Sequence, residues 1–139
     1  MHLATRTPDD DREMIRLAEA SYWHWQYAAG RKASNDAVGL WLLSRVYAMT
    51  GDAATAIDYA LKGAEVVARY RLDAFYAGYA WESAARAYFL DGQSSKAEEA
   101  LAKAKLAAAE VADPANKAAL EMDLQSVRPV NETSGSAIA

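Results

Sequence analysis

From Ala37 to Gly63 the chain reads A-V-G-L-W-L-L-S-R-V-Y-A-M-T-G-D-A-A-T-A-I-D-Y-A-L-K-G. Two helical patterns meet there at a single Gly51-Asp52 turn, with Tyr47 four residues before the glycine and Ala56 five after it. The layout returns 41 positions later, where Tyr88 precedes Gly92 and Ala97 follows it. The same offset pairs Arg45 with Arg86, Ser44 with Ala85, Ala60 with Leu101 and Ala68 with Ala109. Self-similarity of this period is the signature of stacked helical hairpins, each burying its apolar face only against its neighbours.

Working outward, helical spacing continues in both directions. Thr7 and Pro8 open a first helix expected to reach Ala29, and Asp9, Asp10 and Asp11 suit its positive end. It has two apolar sides. Met14, Leu17, Ala18, Ser21, Trp25 and Ala28 form the stripe expected to face the core, and Ile15, Glu19, Trp23 and Tyr27 fall elsewhere. A second helix starts near Ser34 or Asn35, stops at Thr50, and turns Leu40, Leu43, Val46 and Tyr47 inward. Asp52 caps a third, which runs to about Tyr70 with Ala56, Ile57, Ala60, Leu61, Ala64 and Val67 inward. Asp73 caps a fourth, ending at Asp91-Gly92, whose inner face is Trp81, Ala84, Ala85 and Tyr88. Ser95 and Glu98 read as a capping box for a fifth, with Ala97, Leu101, Ala104 and Ala108 as its packing stripe. Asp113-Pro114 opens a sixth, carrying Leu120, Leu124 and Val127, and Pro129 closes it.

The expected architecture is all-α, about six helices in one domain over residues 1–128. Repeat copies fall at about 34–70 and 73–111, a capping helix at 114–128, and a small, polar tail at 129–139 is expected to be disordered. A formal net charge of −4 counts against general nucleic-acid binding, which needs a basic surface. With no cysteine there is no disulfide framework and no thiolate ligand or nucleophile. No run approaches the roughly 20 apolar residues of a membrane span, and residues 1–11 hold no apolar run of signal-peptide length. A soluble cytoplasmic protein is the expectation. No His or carboxylate cluster has ligand spacing, and neither a Gly-rich phosphate loop nor a nucleophile elbow is present, so neither metal nor cofactor is expected.

The hairpin resembles the tetratricopeptide (TPR) repeat. That family places a large residue early in its first helix, a small one in mid-helix, an aromatic, a Gly-Asp or Gly-Asn turn, and a small residue early in the second helix. Here these are Leu40, Ser44, Tyr47, Gly51-Asp52 and Ala56, then Trp81, Ala85, Tyr88, Gly92-Gln93 and Ala97. The family period is about 34 residues, so each hairpin here is longer by about two helical turns, as in long-helix TPR-like arrays of bacterial regulatory proteins. The proline that usually closes a repeat is missing after the third helix, and the first helix fits the pattern poorly.

The resemblance implies antiparallel hairpins stacked as a short right-handed superhelix. It also implies a non-catalytic scaffold that binds a protein or peptide in a groove lined by the first helix of each hairpin. The groove positions carried over are Val38, Trp41, Arg45, Ala48 and Met49, then Tyr79, Glu82, Arg86, Phe89 and Leu90. Trp41, Arg45, Tyr79, Glu82 and Arg86 are the strongest ligand-binding candidates among them. The equivalent arginines either clamp a carboxylate or phosphate of the ligand, or join Glu82, which stands i,i+4 to Arg86, in a structural ion-pair cluster.

Trp23, His24 and Tyr27 form a secondary aromatic patch in the densest aromatic run of the chain. Histidine is a candidate general base. Trp23 and Trp25 flank it about 100° away on either side, however, so the three cannot line one pocket, and a structural histidine is the preferred reading. Trp23 and Tyr27 either cover the mouth of the groove or form a homodimer interface, where such residues are enriched. The alternative function is a small helical enzyme or small-molecule-binding protein with a pocket enclosed by Trp23, Tyr27, Trp41, Tyr79 and the arginines. The absence of a convincing catalytic set favours the interaction module.

Overall fold

A computed structural model describes residues 6–28, 30 and 32–129. Six helices follow one another: α1 (Pro8–Tyr27), α2 (Ala33–Met49), α3 (Ala53–Tyr70), α4 (Ala74–Leu90), α5 (Ser94–Ala109) and α6 (Pro114–Gln125). The fold is all-α, with no strand among the described residues. Ala29, the expected end of the first helix, and the tail from Val130 onward lie outside the described residues.

Local chemistry sets most helix ends. The Thr7 hydroxyl accepts the Asp10 N–H at 3.0 Å, and the Asp10 carboxylate accepts the Thr7 N–H at 2.9 Å. This reciprocal box satisfies two donors that the first turn leaves unpaired. Asp52, Asp73 and Asp113 cap α3, α4 and α6 by accepting the N–H of Thr55, Phe75 and Asn116. The two interhelical turns of the repeat match bond for bond. Asp52 N–H donates to the Tyr47 carbonyl and Gln93 N–H to the Tyr88 carbonyl, both at 2.9 Å. Gly51 and Gly92 hold φ of +91° and +77°, a left-handed conformation that a side chain would strain.

That equivalence corrects the fifth cap. Gln93 occupies the place of Asp52, so α5 begins at Ser94 with no side-chain cap bond, and Ser95 lies inside its first turn. Likewise α2 begins at Ala33 after Lys32, whose N–H donates to Asn35 Oδ1 at 2.9 Å. Helix α6 stops at Gln125, short of Pro129, although Val127 beyond it still packs beside Phe89.

Helix α2 packs on α3 and α4, α3 on α4, α4 on α5 and α6, and α5 on α6. Thus α2, α4 and α6 stand side by side, with α3 and α5 behind them. Fully buried alanines (Ala56, Ala60, Ala97 and Ala104) occupy the crossings, where small side chains allow the short end of the 8–10 Å interaxial range. At Gly78 a Cβ would collide with Leu120, so α6 crosses α4 at a residue without a side chain.

Helix α1 lies along the side of α2. It has no buried residue, and its packed side runs through Met14, Ile15, Ala18, Glu19, Tyr22 and Gln26. That side lies between the two stripes expected from the sequence. Leu17 and Trp25, assigned to the core, are 55% and 44% exposed. Glycine decides the difference: Tyr22 lies where a Cβ on Gly39 would stand, at 2.7 Å, which rolls α1 toward the Tyr22 side. On α3, Leu61 faces out and Gly63 takes the inward place. No described helix is long and apolar enough to cross a membrane.

Candidate functional site

Glu82 stands at the centre of α4 with no solvent exposure. Its Oε2 accepts from Arg45 Nη2 at 2.9 Å, from Arg86 Nε at 2.8 Å and from Arg86 Nη2 at 2.5 Å. Its Oε1 has no hydrogen-bond partner among the described residues. A buried carboxylate is tolerable only with counter-charge close by, and the two repeat-equivalent arginines supply it. They do clamp a carboxylate, but it is the chain's own.

The arginines are not used up by this task. Their side chains remain 32% and 28% exposed. Arg86 also donates to the Asp123 carbonyl at 3.2 Å and to Ser126 Oγ at 2.9 Å, tying α4 to the end of α6. Among the described residues, Arg45 makes one side-chain hydrogen bond, through Nη2, out of five N–H donors. Both line an open groove of about 410 Å³ together with Ala48, Met49, Leu90, Asp123 and Arg128. Three arginines face the carboxylates of Glu82 and Asp123, which leaves a positive surplus on a chain of net charge −4.

The other candidates sit differently. Trp41 stacks on Tyr79 with ring centroids 4.6 Å apart, and Phe75 meets both edge-on. Tyr79 is 7% exposed and donates its hydroxyl to Asp123 Oδ2 at 2.5 Å. Burial first, and that carboxylate second, push its phenol well above the usual tyrosine value. Tyr79, Glu82 and Phe89 are therefore buried, not groove-facing as the resemblance implied. The reason is the place of α4 in the row: flanked by α2 and α6 and backed by α3 and α5, it exposes a narrower front than α2. Arg86 and Leu90 are the α4 members of the expected set that reach the groove.

Trp23, His24 and Tyr27 are exposed on the outer side of α1. Trp23 and Tyr27 are 65% and 73% exposed, their centroids 4.5 Å apart, and His24 meets the edge of Trp25. They do not join Trp41, Tyr79 and the arginines, so the enclosed aromatic pocket is not formed. Among the described residues no group of three His or acidic side chains could hold a metal ion.

Sequence reasoning misses Asp123, away from the apolar side of α6, and Arg128, just past the end of that helix. It also misses a clamp at Glu19, whose Oε2 accepts from the Tyr47 and Tyr59 hydroxyls at 2.7 and 3.3 Å. The one available signal was a carboxylate on an otherwise apolar side of the first helix. No protein-family model, curated protein or solved structure matches this chain.

Proposed function

We propose that the chain is a TPR-like interaction module, a cytoplasmic scaffold or regulator that holds an acidic protein or peptide segment in the groove of α2, α4 and α6. The repeated turn and the row of alternate helices support the TPR-like reading. The observation that carries the binding reading is the arginine surplus of Arg45, Arg86 and Arg128 beside Met49 and Leu90. Donors with spare N–H groups next to apolar side chains suit a segment that mixes carboxylates with apolar residues. Helix α1 packs on α2 and leaves that groove open.

Arg128 is the residue on which to test it, because Arg45 and Arg86 also neutralise Glu82. Arg128 is exposed and, among the described residues, donates to the Gln125 carbonyl alone, at 2.7 Å. In fluorescence polarisation against labelled Glu/Leu-rich peptides, Arg128→Glu should weaken binding about tenfold and leave the melting temperature unchanged. Wild-type affinity should also fall as salt rises. Binding that ignores both the substitution and salt would refute the assignment.

A further inference from the structure

Helix α2 carries large apolar side chains on every side, interrupted by Ser44 and Arg45. Leu40 and Leu43 are buried, Trp41 turns to α4, Val46 turns to α1, and the front carries Val38, Leu42 and Met49, the last two 48% and 50% exposed. A helix this apolar tends to lie in an interior, yet no other described residue covers this front. The front stripe Val38, Leu42, Arg45, Met49 follows helical spacing for about 16 Å, or three turns. On one flank lies the arginine groove. On the other is a valley of about 400 Å³ between α1 and α2, lined mainly by Ala18, Tyr22, Trp25, Val38, Leu42 and Val46.

We propose that this composite surface takes an amphipathic helix of a partner protein, with large apolar residues set into the α1–α2 valley and acidic residues along the edge that meets Arg45 and Arg128. The inference rests on the groove reading above and specifies its ligand. Charge complementarity fixes the acidic edge. Arg45 interrupts the apolar stripe, and an uncharged cover would strand its guanidinium away from water without a full set of acceptors. The surface offers side chains but no free backbone edge, since α1 and α2 satisfy their own carbonyls and N–H groups. An extended segment would find no ladder to join, whereas a helix pairs its own backbone and needs only side-chain anchors at i, i+3 or i+4, and i+7. Three turns of α2 match that anchor length.

The test uses a labelled helical peptide of about 18 residues with Leu at those spacings and Glu on the flanks. One comparator has Lys in place of Glu, and a second carries a central Pro that breaks the helix. The full chain should bind the Glu/Leu helix with a gain in peptide helicity, and both comparators at least tenfold more weakly. Leu42→Glu and the milder Leu42→Ser should each weaken the Glu/Leu helix, by at least tenfold and severalfold respectively, without lowering the melting temperature. If the Pro-broken peptide binds as well and both Leu42 variants are silent, while Arg128→Glu still weakens binding, the helix inference fails and the groove reading survives. If no acidic peptide binds, or the Lys version binds best, both fail. If sedimentation shows a dimer of the free chain that Leu42→Glu splits, the cover is a second copy and the inference is wrong.

Discussion

A carboxylate with no solvent contact has to find its counter-charge inside the fold. Glu82 takes it from arginines at equivalent repeat positions, but the two are not equal. Arg86 binds Glu82 through two nitrogens and also holds the end of α6, whereas Arg45 makes one bond to a described residue. Arg86→Ala should therefore cost about 3 kcal/mol, the low end for breaking a buried pair because the guanidinium is still partly wetted. Arg45→Ala removes one charged hydrogen bond and should cost about 1.5 kcal/mol. Urea unfolding of both variants checks the order; two unchanged midpoints would mean that the arginines serve only a ligand. Tyr47 provides a second check. Its hydrogen bond to the Glu19 carboxylate first, and burial second, raise the phenol from 10.0 to about 12. The folded state thus favours the neutral ring. That contribution is complete below pH 10, where the unfolded ring is also neutral, and is lost as pH rises through about 12. Melting curves between these values should show a steep alkaline loss that Tyr47→Phe makes shallower.

Among the elements, two buried glycines separate packing from propensity. At Gly63 an added Cβ would meet Leu40 Cβ at 3.6 Å and Ala80 Cβ at 3.9 Å, ordinary contacts. Gly63→Ala should therefore stabilise α3 by about 0.5–1 kcal/mol through the entropy that alanine removes from the unfolded chain. At Gly78 the added Cβ runs into Leu120, which is fully buried and cannot swing aside freely. Gly78→Ala should lose about 1–3 kcal/mol to overpacking and drive α6 away from α4. Chemical denaturation of the two variants should give opposite signs. The same contrast shows what was legible in the residues. Turns at Gly51 and Gly92 and caps at Thr7, Asp52, Asp73 and Asp113 could be read directly, because local geometry and hydrogen bonding decide them. The packed side of α1 could not, because it depends on Tyr22 meeting a glycine on another helix. The burial of Tyr79 and Glu82 could not either: it follows from α4 having neighbours on both flanks, a property of the row and not of the segment. At the site, Arg45 and Arg86 were legible as a pair through the repeat, while Asp123 on α6 and Arg128 just beyond that helix reach the groove from outside it.

At the scale of the molecule, stability in a row of helices comes from nearest-neighbour interfaces, so the ends hold least. Helix α4 is enclosed by its neighbours, whereas α1 touches mainly α2 and buries no residue fully. Among the contacts that hold α1 are Tyr22 on Gly39, Glu19 between Tyr47 and Tyr59, and Gln26 donating to Asp36, with Arg6 just before the helix donating to the Met49 carbonyl. Amide exchange under native conditions should show α1 opening well below the global unfolding free energy, with α4 exchanging only on global unfolding. Glu19→Ala removes the acceptor of both tyrosine hydroxyls, a loss of about 1.5 kcal/mol, and should speed exchange in α1 about tenfold while leaving α4 unchanged. If α1 and α4 instead exchange together, α1 belongs to the cooperative core. The valley between α1 and α2 would then be a preformed surface. Separate opening would make it a surface that a bound helix completes, and a saturating Glu/Leu peptide should then slow exchange in α1 before it slows anything in α5.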